Sequence, residues 1–177
     1  MSTPKITSRD ARLLYLPESP EVRFLPEGPT ALGGGMFSWV AIQHGPEAVT
    51  GSLNVFDLKT GRNQQFNLPG RPGFAKPTQQ EGVFVVGCER SLGIFRVSDQ
   101  SWQVICEGID SGVDNTIIND GTCFGDNLVF GCKDLDFKTK KLVCICFVVA
   151  TSAWFSFAAI RFAATVKMLS RQVTDCI

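Results

Sequence analysis

The sequence predicts an all-β fold in which groups of four short strands repeat along the chain. A composition with 14 phenylalanines, 17 glycines and nine prolines is typical of a β protein with many turns. Short segments of alternating polar and apolar residues lie between turn residues, which is the pattern of half-exposed strands. Four such strands recur about every 40–45 residues, the length of a β-propeller blade, and a β-sandwich built from regular hairpins is the alternative.

The first repeat is predicted to hold four strands, after two short apolar-rich segments at residues 11–16 and 21–25. Three consecutive glycines at residues 33–35 are expected to form a hairpin turn. A phosphate-binding loop is not expected there, because neither a helix start nor a Lys-Ser/Thr pair follows the glycines. The strands predicted for this repeat are residues 30–32, 36–42, 52–57 and 63–68.

The same order of strands is predicted again in a second repeat and at the start of a third. Phe74 and Ile118 occupy equivalent positions in these two repeats. The predicted strands are residues 73–76, 82–87, 91–97 and 101–106, followed by residues 116–120 and 127–131. This regular spacing favours propeller blades.

The charge balance and the cysteines narrow the class of protein. The 17 basic residues equal the 17 acidic residues, so no excess of positive charge indicates a nucleic-acid partner. The seven cysteines include no Cys-x-x-Cys pair, which argues against a zinc site and favours reduced, buried thiols. The first twelve residues are polar and do not predict a secretory signal. We therefore expect a cytoplasmic protein.

The sequence contains a single histidine, His44, which precedes a Gly45-Pro46 turn. A Ser-His-Asp or Cys-His mechanism would need this side chain, but no Gly-x-Ser-x-Gly motif accompanies it. We expect His44 to be a solvated loop residue, and we assign no catalytic residue.

Two short motifs place oxygen-bearing side chains beside glycines. Glu27 lies in a Pro-Glu-Gly-Pro turn, and Asn119 lies in an Ile-Asn-Asp-Gly strand end. Carboxylate and amide oxygens at such positions are ligands that a hard cation such as calcium prefers. The alternatives are structural, since the glutamate can cap a turn and the asparagine can hydrogen bond within a hairpin.

The last part of the chain has a different character from the repeats. Residues 142–160 are 19 residues without a charge, which is close to the length needed to span a bilayer. Three hydroxyl side chains and the lack of a leucine-rich centre weaken that prediction. Three alternatives stay open for this apolar tail: a membrane anchor, a helix packed on the β body, and a non-native segment from an altered reading frame.

Several stretches, taken in order, resemble the senescence marker protein/gluconolactonase/luciferin-regenerating enzyme (regucalcin-like) family. They are residues 24–29, 37–42, 53–57 with Thr60-Gly61, 82–87, and 118–121 with Phe130-Gly131. The resemblance covers about residues 20–141. It divides the chain into an N-terminal extension (1–19), propeller blades (20–141) and the apolar tail (142–177).

The resemblance implies a six-bladed β-propeller that holds a divalent metal, usually calcium, on its axis and hydrolyses sugar lactones such as gluconolactone. Glu27 stands where the family places its first metal-ligating carboxylate. Asn119 stands where the family places an asparagine that faces the substrate and the metal. Ile117 replaces an arginine that helps to bind substrate in regucalcin-type members, so the preferred lactone stays open.

The resemblance also implies that part of the family's site has no counterpart here. The second metal-binding asparagine and the aspartate general base belong to later blades, and nothing after Lys141 resembles those blades. We therefore expect a partial, truncated propeller that binds calcium weakly if at all, lacks activity by itself, and self-associates through open sheet edges. The alternative is a non-catalytic fragment that acts as an interaction protein or contacts a membrane through residues 142–160.

Overall fold

The computed structural model describes residues 10–124, 127–136, 143–148 and 156–160. All regular elements within these ranges are β-strands. The strands are β1 (Pro26–Gly33), β2 (Met36–Ala41), β3 (Ser52–Asp57), β4 (Arg62–Asn67), β5 (Pro72–Pro77), β6 (Val83–Cys88), β7 (Ser91–Arg96), β8 (Ser101–Cys106), β9 (Thr116–Phe124), β10 (Asn127–Asp134), β11 (Val143–Val148) and β12 (Ser156–Ile160).

The strands form three four-stranded antiparallel sheets, each built from four consecutive strands joined in sequence order. The first sheet holds β1 to β4, the second β5 to β8, and the third β9 to β12. Strand β5, the first strand of the second sheet, contacts both β1 and β9, the first strands of the other two sheets. Three meander sheets that meet along their first strands are consecutive propeller blades, so the prediction of an all-β, propeller-type fold is confirmed.

Two hydrophobic clusters join neighbouring sheets face to face. Because side chains alternate along a strand, every second residue of the central strands points into the same interface. The cluster between the first and second sheets contains Val40, Ile42, Leu53, Leu68, Ala75, Phe84, Val86, Cys88 and Phe95. The cluster between the second and third sheets contains Phe74, Leu92, Ile109, Ile118, Leu128, Phe130 and Cys132.

Phe74 shows why glycines are needed at two positions of the second interface. An added Cβ at Gly87 or at Gly121 would lie 2.5 Å from the Phe74 ring. The ring also packs on Phe130, with 5.6 Å between the ring centroids. The two glycines therefore let the β6 and β9 backbones approach the aromatic ring that links the sheets.

The apolar-rich segments at residues 11–16 and 21–25 do not form strands. They lie outside the sheets, where Val22 is buried in one cluster with Trp39 and Ala41 of the first sheet. The ring of Tyr15 packs on Phe56 at 5.0 Å. The N-terminal segment therefore covers the face of the first sheet that points away from the second.

Two strands lie within the predicted tail, and both belong to the third sheet. Strand β11 pairs with β10, and β12 pairs with β11. The other residues of the predicted tail lie outside the described ranges, so the three alternatives for them stay predictions, as do the predicted domain boundaries. No helix in the described part of the chain has the length and apolar character needed to cross a membrane.

Candidate functional site

The first candidate residue, Glu27, lies on β1 directly before a β-bulge. Between the pairs formed by Glu27 and Thr30, the residues Gly28 and Pro29 face the single β2 residue Trp39. Gly28 has a φ of +63°, which a glycine adopts without strain. The motif expected to be a turn is therefore the bulged start of a strand, and the bulge fixes the direction of the Glu27 side chain.

The second candidate residue, Asn119, lies in a matching bulge of the third sheet. The pairing of β9 with β10 shifts between Ile118 and Gly121, so Asn119 and Asp120 face the single residue Gly131. Bulges of this kind bend the strand and redirect side chains, and they are frequent beside binding sites. At the two adjacent polar residues Asn119 and Asp120, the regular alternation of β9 side chains between the two faces of the sheet is thus interrupted.

Gly73 of β5 lets the backbone of the middle sheet lie against the bulge of β9. A Cβ at this position would overlap the backbone carbonyl oxygens of Ile118 and Asn119. Strand β5 also contacts β1 on its other side. Strand β5 of the middle sheet therefore lies against the bulge of β9 on one side and against β1 on the other.

Charged groups on β1, β9 and β10 influence one another at this site. Partial burial, the larger cause, and the negative charge of Asp120 raise the pKa of Glu27 above its usual value. The positive charge of Lys133, on β10, acts in the opposite direction. Neither partner was indicated by the sequence motifs. Asp120 could have been found as the neighbour of Asn119, whereas no sequence signal connects Lys133 with Glu27.

Asn119 is connected to Glu27 and Asp120 by a hydrogen bond to the Asp120 carboxylate. Its Nδ2 donates a hydrogen bond to Asp120 Oδ2 at 3.2 Å, which fixes the orientation of the amide. The amide oxygen of Asn119 consequently points away from that carboxylate. Ile117, two residues earlier, is buried and pairs with Lys133 across the sheet.

The chemistry of these donors fits a hard cation. Two carboxylates, from Glu27 and Asp120, and the amide oxygen of Asn119 are ligand types that calcium prefers. Calcium usually takes six to eight oxygens, so three protein donors would leave most of its positions to water or to other groups. In residues 10–124 and 127–136, no group of three or more His, Cys, Asp or Glu side chains could hold a metal ion. The assignment of Glu27 to a metal and of Asn119 to a substrate thus stays a prediction.

His44 lies in the loop after β2 as expected, but it is half-buried and not simply solvated. Its Nε2 lies 2.9 Å from Oγ of Ser52, which also accepts a hydrogen bond from Nδ2 of Asn54. Asn54 in turn accepts from Asn63, and Asn63 accepts from the indole N–H of Trp39. Because the indole can only donate, the direction of the hydrogen bonds is fixed from Trp39 through Asn63 and Asn54 to the hydroxyl of Ser52, which is also hydrogen bonded to the imidazole. Ser52 is fully buried, so the pair is not an accessible nucleophile and base.

The described cysteines are free thiols, but they are not all buried. Burial raises the pKa of Cys88 and of Cys132 to about 12, with a further contribution from a nearby carboxylate in each case. Cys106 is half-buried, and Cys123 is exposed, so the expectation of buried thiols is wrong for Cys123. The side chains of Cys144, Cys146 and Cys176 lie outside the described part of the chain.

Comparison with known proteins gives a family for this fold. The sequence model of the SMP-30/gluconolactonase/LRE-like region matches residues 25–164. No curated protein sequence matches the chain significantly. Among solved structures, the fold is similar to a calcium-binding protein, regucalcin, from Agrobacterium tumefaciens, with a TM-score of 0.62 and 17% identity over 78% of this chain. It is also similar to a luciferin-regenerating enzyme, with a TM-score of 0.61 and 17% identity over 78% of this chain.

These structures are longer than the present chain, which covers 43% of the regucalcin and 46% of the luciferin-regenerating enzyme. The family match, in contrast, covers most of this chain and includes all three sheets. The protein therefore belongs to the SMP-30/gluconolactonase/LRE-like family.

Proposed function

We propose that this protein carries part of a calcium-dependent site for the hydrolysis of sugar lactones, with Glu27 as a metal ligand and Asn119 as a substrate-binding residue. The observation that carries the proposal is the approach of Glu27, on the first sheet, to the Asn119-Asp120 bulge on the third. Membership of a gluconolactonase-like family supports the reaction class. The description of the Agrobacterium regucalcin as calcium-binding supports the choice of metal.

Each residue of the site has a defined task in this proposal. Glu27 and Asp120 supply carboxylate oxygens for a divalent metal, and their mutual repulsion favours a cation between them. A metal bound there supplies Lewis acidity, which polarises a lactone carbonyl. Asn119, held by Asp120, accepts a hydrogen bond from a sugar hydroxyl with its amide oxygen. Ile117 is apolar and cannot donate to the substrate, so the sugar hydroxyls must be recognised by other groups.

We further propose that the chain by itself binds calcium weakly and does not turn over lactone. Few protein oxygens in a site correspond to dissociation constants on the order of millimolar. The general base that the family resemblance implies has no counterpart at Glu27, Asn119 or Asp120. Self-association through sheet edges, or another polypeptide, would have to supply the remaining groups before sugar lactones are hydrolysed. The free thiols fit a location in the reducing cytoplasm.

The first experiment measures calcium binding. Titration calorimetry with CaCl2 is run on the wild type, on Glu27→Ala, and on Glu47→Ala, which removes an exposed loop carboxylate and serves as the matched control. We expect weak binding by the wild type and by Glu47→Ala, and none by Glu27→Ala. Equal binding by all three variants would contradict the assignment of Glu27.

The second candidate function is non-catalytic, as an interaction protein or a membrane-tethered one. It is favoured by the finding that the described residues hold no group of three or more acidic, histidine or cysteine ligands. Hydrolysis of gluconolactone at high CaCl2, compared between the wild type and Glu27→Ala, separates the two candidates. A calcium-dependent rate that Glu27→Ala loses supports the hydrolase. Equal background rates, with detergent-dependent solubility, support the tethered protein.

A further inference from the structure

Lys76 of β5 places a positive charge between the first and second sheets. Its Nζ donates a hydrogen bond to Oγ1 of Thr30, on β1, at 3.2 Å. The lysine is half-buried, and in the described part of the chain no carboxylate lies within salt-bridge distance of its ammonium group. An ammonium group has three N–H donors, and the contact with Thr30 uses one of them. The charge of Lys76 is thus compensated by a neutral hydroxyl and not by an anion.

The hydrogen bonds of Thr30 fix the position of this ammonium group. The Thr30 hydroxyl donates to the carbonyl oxygen of Gly28 at 3.2 Å, and its lone pairs accept from Lys76. Because a hydroxyl has a single proton, Thr30 has none left to donate to a ligand. Gly28 belongs to the bulge beside Glu27, so the bulge holds the hydroxyl that in turn holds the lysine.

A second hydroxyl, that of Ser38 on β2, lies beside Thr30. The two residues are directly opposite in the β1–β2 ladder, so their side chains share a face of the sheet with Cβ atoms about 4.5–5.5 Å apart. Ser38 is 0% exposed, and its Oγ has no hydrogen-bond partner among the described residues. A buried hydroxyl without a partner costs about 1–3 kcal/mol, which an acceptor atom of a ligand would offset.

We propose that Lys76 and Ser38 bind the carboxylate of a sugar acid, with Thr30 as the residue that positions the ammonium group. A carboxylate only accepts hydrogen bonds, and the ammonium group and the serine hydroxyl both have protons to donate. The anion site rests on these contacts, whereas the choice of a sugar acid rests on the proposed function. When water adds to a lactone, the ring C–O bond breaks and leaves a hydroxyl and a carboxyl group, which is ionised at neutral pH.

This anion site uses neither Glu27 nor Asn119. Gly73, whose backbone lies against Asn119, precedes Lys76 by three residues on β5. At a rise of about 3.3 Å per residue, their Cα atoms are about 10 Å apart along the strand. Thr30 likewise follows Glu27 on β1. Binding of a sugar acid is therefore expected without calcium, and it can be measured without any turnover of lactone.

NMR titrations with sodium gluconate in EGTA, at constant ionic strength, test the site. Lys76→Met removes the charge and keeps most of the side-chain volume, and Lys59→Met changes the net charge equally at an exposed turn. We expect Lys76→Met to bind gluconate about tenfold to a hundredfold more weakly than the wild type, and Lys59→Met to bind like the wild type. Equal weakening by both variants, or none by Lys76→Met, would overturn the proposal.

Ser38→Ala gives an independent test that leaves the charge unchanged. It removes a buried hydroxyl without a partner in the described structure, so the urea midpoint should not fall. Gluconate affinity should fall at least about threefold, because one donor to the carboxylate is lost. A stable Ser38→Ala variant that binds gluconate like the wild type would overturn the site.

Two further ligands identify what the site recognises. Glucitol has a neutral hydroxymethyl group in place of the carboxylate of gluconate and should not bind, so equal binding of both would overturn carboxylate recognition. Phosphate offers an anion without the sugar chain, and binding as tight as that of gluconate would overturn the sugar acid as ligand. Gluconate binding that Lys76→Met loses, in a protein that binds no calcium, would support this inference and contradict the proposed function. Calcium binding without gluconate binding would overturn this inference alone.

Discussion

Asp120 lies close enough to Glu27 for its negative charge to raise the pKa of that carboxyl, in addition to the larger effect of burial. The two residues belong to the first strands of the first and third sheets. Strand β5, which contacts both of these strands, brings them together. Because the two negative charges repel each other, we expect calcium to act on this site and not on the rest of the fold.

Replacement of Glu27 should stabilise the metal-free protein. In EGTA at pH 7.5, Glu27→Gln removes a partly buried charge that faces Asp120, so we expect a gain of up to about 1 kcal/mol after solvent screening. The measurement is urea unfolding followed by intrinsic fluorescence. Glu47→Gln, at an exposed loop position, is the control and should not change the midpoint. A clear loss of stability in Glu27→Gln would show that the carboxylate has a structural role.

Gly121 should not tolerate a methyl group. The Cβ of Gly121→Ala would lie 2.5 Å from Cδ1 of Phe74, so the ring or the β9 backbone must move, at a cost of about 1–3 kcal/mol. The unfolding free energy in urea measures this cost. In a Phe74→Leu background, the smaller side chain leaves more space and the added methyl should cost less. Equal costs in both backgrounds would mean that the strain arises elsewhere.

The hydrogen-bond chain of the first sheet should depend on Asn54. Asn54→Ala leaves the amide of Asn63 without its acceptor and removes the donor to the fully buried Ser52, so we expect a loss of about 2 kcal/mol or more. Gln65→Ala is the matched control, because Gln65 pairs with Asn54 across the sheet but is exposed. It should change the unfolding free energy by less than about 0.5 kcal/mol. Similar effects of both substitutions would argue against the chain as a stabilising unit.

The cysteines should differ strongly in alkylation. Burial raises the pKa of Cys88 and Cys132 to about 12, so at pH 8 only about one thiol in ten thousand is ionised at these positions. The thiolate is the reactive form, and its fraction should rise about tenfold for each pH unit while the protein stays folded. Iodoacetamide at pH 8 should therefore label exposed Cys123 before Cys88 and Cys132, as read by peptide mass mapping. Labelling of Cys88 at the rate of Cys123 would show that the second sheet opens readily.

Much of the fold could be read from local patterns. The strands at residues 52–57 and 101–106 have the predicted bounds, because β-forming residues between turn residues define them without help from distant residues. The glycines at 33–35 form the β1–β2 hairpin turn, with positive φ at all three, as expected. The segments at 11–16 and 21–25 were recognised only as rich in apolar residues. Tyr15 and Val22 pack on the first sheet without joining it, and composition does not distinguish packing from pairing.

The candidate site was predicted only in part. The sequence indicated Glu27 and Asn119 through motifs and the family resemblance. It did not indicate that both lie beside bulges, since a bulge depends on the register of two strands. It also gave no reason to connect Lys133 with Glu27, because the two residues belong to different sheets and no local sequence pattern predicts how their charges are placed relative to each other.

The amino-acid sequence by itself determined that this protein is made of short strands in repeating groups of four, and it determined the family. Alternation, turn residues and repeat length are local properties, and each acts within a few residues of where it is seen. The tertiary structure alone decided which charges share a site, because contact between β1, β5 and β9 depends on how whole sheets pack. It also decided that His44 shares a hydrogen bond with a buried serine, since that pairing requires the folded loop between β2 and β3.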